Sequence, residues 1–267
     1  MTILDDIIKY KRIEELPRQI ENREPAMVRA EATLAPPPRD FVAALQATDR
    51  ITLIAEIKRA SPSKGLLRHN FDPLDLAITY AYHGASAISV LTDSKYFQGK
   101  LDYLSQIRQH LDESGPQPGP NLLRKDFIFD PYQVYEARAA GADALLLIAA
   151  VLKDREMADL LNLTRKLGMT ALIEVHNQSE LDRVLPLNPT LIGVNNRNLH
   201  DFSVDLNTCI DLRQQVPANI CFVAESGIHT AEDAARLAKE GIDAILVGEA
   251  LMKSKDVGAK VQSLLRY

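Results

Sequence analysis

From Thr52 onward one unit recurs: a short apolar run rich in β-branched residues, a polar loop, then a longer stretch with helical periodicity. Eight such runs are present: TLIAEIK from 52, ASAISVL from 85, NLLRKDF from 121, DALLLI from 143, TALIEV from 170, TLIGVN from 190, ICFVAE from 220 and DAILVG from 243. Nearly continuous hydrophobicity means burial on both faces, as parallel strands wrapped by helices require. Asp72-Pro73 and Asp130-Pro131 place a cap beside a proline at the first helical position, while Gly84, Gly141 and Gly241 stand where helices end. GASAISVL, GADALLLI and GIDAILVG then echo one another as helix-stop, strand-start segments. Eight units of one period predict an α/β fold of the (β/α)₈ TIM-barrel class over an open doubly wound sheet. A length of 267 residues is normal for one such barrel, so residues 1–267 read as a single domain.

Ahead of the repeat, Ile3, Leu4, Ile7, Ile8, Ile13 and Leu16 recur at helical spacing among charges, an amphipathic helix whose apolar stripe needs a partner. After the break APPPRD at 35–40, Asp40 is placed to cap a short helix containing Phe41, Val42 and Leu45. Residues 1–48 therefore read as an N-terminal helical extension packed on the barrel.

Several function classes are disfavoured. A formal net charge of -5 argues against nucleic acid as a partner. Asp5, Asp6 and Lys9 interrupt what would be a signal peptide, and no apolar run approaches the roughly 20 residues that span a bilayer. No membrane partner is expected. Cys209 and Cys221 lack CxxC spacing and read as core thiols of a protein in a reducing compartment, the cytoplasm. His69, His83, His110, His176, His200 and His229 show neither HxH nor HExxH spacing, so no metal is expected and all read as surface or loop residues. GxGxxG and GxxxxGK[ST] are missing, and no cofactor is expected.

In a (β/α)₈ barrel the active site lies at the carboxyl ends of the strands. There strand 1 supplies Glu56 and Lys58, strand 3 Lys125, strand 5 Glu174, strand 6 Asn195 and Arg197, and strand 7 Glu225 and Ser226. Alternation puts Glu56 and Lys58 on one face, and Asn195 with Arg197 if the strand continues that far. Any one such charge reads equally well as half of a rim ion pair. Lys58, Lys125 and Glu174 together point to a mutually compensated site. Ser226-Gly227 after strand 7 and Gly248 opening a helix after strand 8 lie where barrels bind phosphate, although either glycine alone would serve a tight turn. In KRASPSKG, from Lys58 to Gly65, Ser61, Ser63 and Lys64 can meet an anion or close over it; a solvated loop is the plainer reading.

These motifs, taken in order, resemble the indole-3-glycerol phosphate synthase family: IAEIKRASPSKG, SVLTD with Tyr96-Phe97-Gln98-Gly99, LLRKDFIFDPYQVYEARAAGADALLLI, LIEVH, IGVNNRNL, VAESGI and LVGEALM. The resemblance covers essentially the whole chain. It implies conversion of 1-(2-carboxyphenylamino)-1-deoxyribulose 5-phosphate, a small phosphorylated anilino-sugar, to indole-3-glycerol phosphate, carbon dioxide and water without metal or cofactor. The family's catalytic positions fall on Glu56, Lys58, Lys125, Glu174 and Asn195, with Ser226 assisting. Its binding positions fall on Ser61, Phe97, Phe127, Arg197, Leu199, Glu225, Gly227, Gly248 and Glu249. Phe97 and Phe127 would pocket the aryl ring, Lys125 would protonate the oxygen during ring closure, and Lys58 would neutralise the substrate carboxylate. HDFSVD after Leu199, and Ala250 where many members have serine, depart from the pattern. Association with other tryptophan-pathway enzymes is compatible with this role. Two rival readings stand beside it: a phosphosugar aldolase using a lysine Schiff base, and a non-catalytic phosphosugar-binding barrel.

Overall fold

Strands that are apolar on both faces bury themselves by closing into a ring, and this chain does so. The computed structural model describes residues 2–46, 50–117, 119–199 and 201–266. Thr52–Ile57 (β1), Ala87–Leu91 (β2), Asn121–Lys125 (β3), Ala144–Ile148 (β4), Thr170–Val175 (β5), Leu191–Asn195 (β6), Cys221–Glu225 (β7) and Ala244–Val247 (β8) form a closed parallel barrel. Each strand pairs with its sequence neighbours, and Thr52 opposite Ala244 closes the ring. The eight predicted runs coincide with the eight strands.

The alternation is carried through. Ile54, Ala87, Leu123, Ala144, Leu146, Leu172, Leu191, Cys221, Val223 and Leu246 cluster inside the barrel with Phe41 and Leu45. Their strand neighbours, such as Leu53, Ala55, Leu122, Leu145, Ile173 and Phe222, belong to the shell between strands and helices. The helix Phe41–Leu45, with Asp40 accepting a hydrogen bond from Ala43 N at 2.9 Å, stoppers the lower end. Its position is fixed at strand beginnings: Thr52 Oγ1 donates to Leu45 O (2.9 Å), and Arg39 N donates to Asp143 Oδ1 (2.7 Å). Asp72 and Asp130 cap their helices as the Asp-Pro pairs imply, and Gly141 takes φ 85°, the left-handed turn that ends a helix before β4. Both cysteines are buried and unpaired. Among the described residues no helix is long and apolar enough to cross a membrane.

Two sequence expectations change. The expected N-terminal helix forms but is not α-helical throughout: Ile3–Tyr10 runs into a π-helical turn, Lys11–Glu15, before Leu16–Asn22. Lys11, one turn beyond buried Ile7, points inward at 1% exposure, Ile13 lies 64% exposed on the other side, and past the wider turn Leu16 is again buried. The segment after β1 also contains a small antiparallel hairpin, Ala60–Ser61 with Gly65–Leu66. Of residues 1–48, Met1, Ala47 and Thr48 lie outside the described residues, as does His200.

Phe41 is fully buried at the floor, so Phe41→Ala should destabilise the fold by about 3–5 kcal/mol in urea titration. Turnover measured below the melting transition should stay close to the parent, because the stopper lies at the end opposite the site.

Candidate active site

Above the apolar floor the inward positions turn polar. Glu56, Lys125, Glu174 and Glu225 are each less than one-tenth exposed, and with Lys58 and Asn195 they ring a cavity of about 210 Å³. Lys125 Nζ lies 2.9 Å from Glu174 Oε2 and pairs with Glu225 Oε2 as well. Lys58 pairs with Glu56, and Asn195 Nδ2 donates to Glu174 Oε1 at 3.2 Å. The remaining positions implied by the family resemblance also line this cavity: Ser61, Phe97, Phe127, Arg197, Leu199, Ser226, Gly227, Gly248 and Glu249. Of the loop KRASPSKG, Ser61 and Ser63 reach the cavity wall. Lys64 stands apart from that wall, and its charge acts on Glu249.

Burial and pairing set the charges. Desolvation works against the Lys125 ammonium, but the carboxylates of Glu174, Glu225 and Glu56 outweigh it and hold the proton more tightly than usual. Glu174 is likewise penalised by burial, yet Lys125 and His176 hold it well below the ordinary carboxylate range. Glu225 goes the other way: burial and repulsion from Glu174 and Glu56 exceed the pull of Lys125 and raise it to about 7. One ammonium shared by two carboxylates thus leaves one firmly ionised and the other able to exchange a proton near neutrality.

His176 lies on the loop after β5, as the sequence reading allows, but its side chain is not on the surface. Its side chain is 7% exposed, with Nδ1 3.1 Å from Glu180 Oε2 and Nε2 3.2 Å from Glu174 Oε1. Burial favours the neutral ring, but the two carboxylates prevail and raise its pKa to about 10. It stands two residues beyond Glu174, so strand alternation alone aims it into the barrel; a search for metal spacing passes over that signal.

Glycines make the room. A Cβ on Gly248 would overlap Glu56 Oε2, and one on Gly193 would overlap Glu225 Oε1. Gly248 has φ -123°, so space for Glu56 requires the glycine, not an unusual backbone. Ser226 and Gly227 are different: both have left-handed φ, 65° and 81°, and both lie on the cavity wall. Opposite, the rings of Phe97 and Phe127 lie 6.0 Å apart at 43°. Ile3, Leu4 and Ile7 bring the N-terminal helix to the mouth, a partner for the stripe that the sequence left unassigned. Among the described residues no group of three or more His, Cys, Asp or Glu side chains is arranged to hold a metal ion.

Residues 4–264 match the family model for indole-3-glycerol phosphate synthase. An indole-3-glycerol phosphate synthase of Roseiflexus sp. (strain RS-1) is 56% identical over 265 residues, covering 98% of each chain. The chain belongs to the indole-3-glycerol phosphate synthase family. Another relative of that name, from Albidiferax ferrireducens, is 48% identical over 98% of this chain and 97% of its own. A 3-hexulose-6-phosphate synthase structure superposes with a TM-score of 0.62 at 15% identity, covering 80% of this chain and 98% of that one, a likeness of fold. Within this indole-3-glycerol phosphate synthase family member, residues that sequence alone left out of the site include His176 and the apolar face of the N-terminal helix on the cavity wall, with Gly193 making room for Glu225.

A histidine whose folded-state pKa exceeds its unfolded value stabilises the fold fully below pH about 6.5 and loses that contribution as pH rises toward about 10. Removing the charge in His176→Gln should therefore produce a stability deficit that is largest at the lower pH and shrinks across this window. Urea unfolding of parent and variant measures it, and a deficit independent of pH would mean a neutral imidazole.

Proposed function

We propose that this cavity carries out the family's reaction, closing the indole ring of 1-(2-carboxyphenylamino)-1-deoxyribulose 5-phosphate with loss of carbon dioxide and water. The observation that carries the reading is the buried Lys125 ammonium, held between Glu174 and Glu225 at the base of a pocket walled by Phe97 and Phe127. The ring carbon that bears the carboxylate attacks the ketone carbon, a carbon–carbon bond forms, and the carbonyl electron pair moves to oxygen. Lys125 delivers a proton to that oxygen, which as an alkoxide is more basic than the amine. Glu225 is placed to return the proton to Lys125. The bond to the carboxylate then breaks, carbon dioxide departs, and its electrons restore the aromatic ring. Lys58 neutralises that carboxylate until it leaves. Protonation of the new hydroxyl and removal of a proton from the adjacent carbon expel water, work assigned to Glu174 with Glu56 and Lys58.

The phosphate end belongs to Ser226-Gly227 and the Gly248-Glu249 turn, with Arg197 beside Glu249 at 3.7 Å. Ser61, Leu199 and Asn195 complete the contacts on the remaining walls. A Schiff-base aldolase fits less well, since it needs a neutral amine and Lys125 is clamped as an ammonium by carboxylates. A purely binding barrel has no use for a carboxyl raised to about 7 against a buried lysine. Two buried free thiols fit a reducing compartment, and the cytoplasm is the proposed location.

Lys125→Met should lower turnover by about 10²- to 10⁴-fold, followed by fluorescence of indole-3-glycerol phosphate, while inorganic phosphate competes as well as with the parent. Turnover within about tenfold of the parent would remove Lys125 as the acid. Borohydride added with substrate should leave every lysine unmodified by mass spectrometry; an adduct on Lys125 or Lys58 would favour the aldolase.

A further inference from the structure

Lys11 is the strongest anomaly outside the catalytic ring. It belongs to the N-terminal extension, where one helical turn beyond buried Ile7 its side chain points inward at 1% exposure. Its Nζ lies 2.9 Å from Asp126 Oδ1, 3.2 Å from Asp93 Oδ2 and 2.6 Å from Glu15 Oε1. Asp93 Oδ2 is buried and makes no hydrogen bond among the described residues, so this ammonium is the cation set against it.

Each of the two barrel carboxylates also organises one aromatic loop. Asp93 Oδ1 accepts from Tyr96 N at 2.7 Å and Phe97 N at 3.0 Å, and its carbonyl accepts from Gly99 N. Asp126 Oδ1 accepts from Phe127 N at 2.8 Å, while Oδ2 accepts from the Thr92 hydroxyl and from Arg124. Asp93 and Asp126 are both nearly inaccessible, at 0% and 4% exposure. Two carboxylates so buried repel strongly unless a cation stands between them. Whatever sets their separation also sets the separation of Phe97 and Phe127.

We propose that Lys11 is a positioning residue for aryl recognition: its buried ammonium bridges Asp93 and Asp126 and thereby fixes the slot between Phe97 and Phe127. This rests on the reading of that slot as the seat of the substrate's carboxyphenyl ring. The bridge also pins the helix whose Ile3, Leu4 and Ile7 line the same cavity. The phosphate end is held by other elements, after β6, β7 and β8, so Lys11 acts on one half of the substrate only.

The test compares the full-length parent, Lys11→Met, and Lys11→Met combined with Asp93→Asn. The double variant removes one buried negative charge along with the cation. Its side-chain amide oxygen still accepts from the Tyr96 and Phe97 amides, so it retains a fold should the single variant lose it. Affinity is read for two probes without turnover: 2-aminobenzoate by its fluorescence, and inorganic phosphate by competition. In whichever variants fold, aryl-probe affinity should fall by about tenfold or more, with phosphate affinity within about twofold of the parent. The substrate KM should rise more than kcat falls. Unchanged aryl affinity in a folded variant, or equal losses for both probes, would overturn the proposal. A parent that binds both probes but makes no indole product would instead overturn the functional reading, and the aryl comparison would still decide the role of Lys11.

Discussion

In a closed ring of eight parallel strands every second side chain points inward, into a space too narrow for bulk water. The lower part of that space is filled by Ile54, Leu123, Leu172 and Val223 over the Phe41–Leu45 helix. The same alternation, one step further along each strand, sends Glu56, Lys125, Glu174 and Glu225 into the same column. Charges carried there cannot rely on water, so they must satisfy one another. The salt-bridged ring is thus the core continued in a different chemistry. Gly193 and Gly248 are part of that packing, leaving space where Glu225 and Glu56 would otherwise collide with a neighbouring strand.

The ring is unequal by construction. Glu174 accepts hydrogen bonds from Lys125 and Asn195 and has the His176 ring 3.2 Å away, whereas among the described residues Oε1 of Glu225 is buried without a hydrogen-bond partner. A carboxylate surrounded by donors stays charged, and one with a bare oxygen takes up a proton more readily. A reaction that first delivers a proton to oxygen and later removes one from carbon needs groups poised differently within a few ångströms. Asymmetric solvation inside one barrel mouth supplies them without any unusual residue type.

Most of the architecture was legible because it is written in local periods. Strand runs, Asp-Pro caps and helix-ending glycines repeat often enough that each unit supports the next, and alternation from Ile54 to Glu56 to Lys58 already names the inward face. What escaped depends on longer or subtler relations. Lys11 falls one turn beyond Ile7 but sits among charges, and the carboxylates that let it be buried, Asp93 and Asp126, lie on loops far away in sequence. Gly248 looks like a turn residue, although its reason lies in Glu56 on β1, which no neighbouring sequence reveals. His176 lies two residues past Glu174, but a histidine without a metal-ligand partner at short spacing carries no other mark in the sequence. Phe97 and Leu199 came from family resemblance, since they lie on loops where no period operates.

The floor of the barrel has one more consequence. Phe41 and Leu45 are fully buried in the inner cluster and close the barrel beneath the charged ring. Substrate, carbon dioxide, water and the finished indole all share one doorway, the rim beside the N-terminal helix. A cavity with a closed floor and one mouth has its entrance and exit on the same side, so product leaves by the way substrate came in.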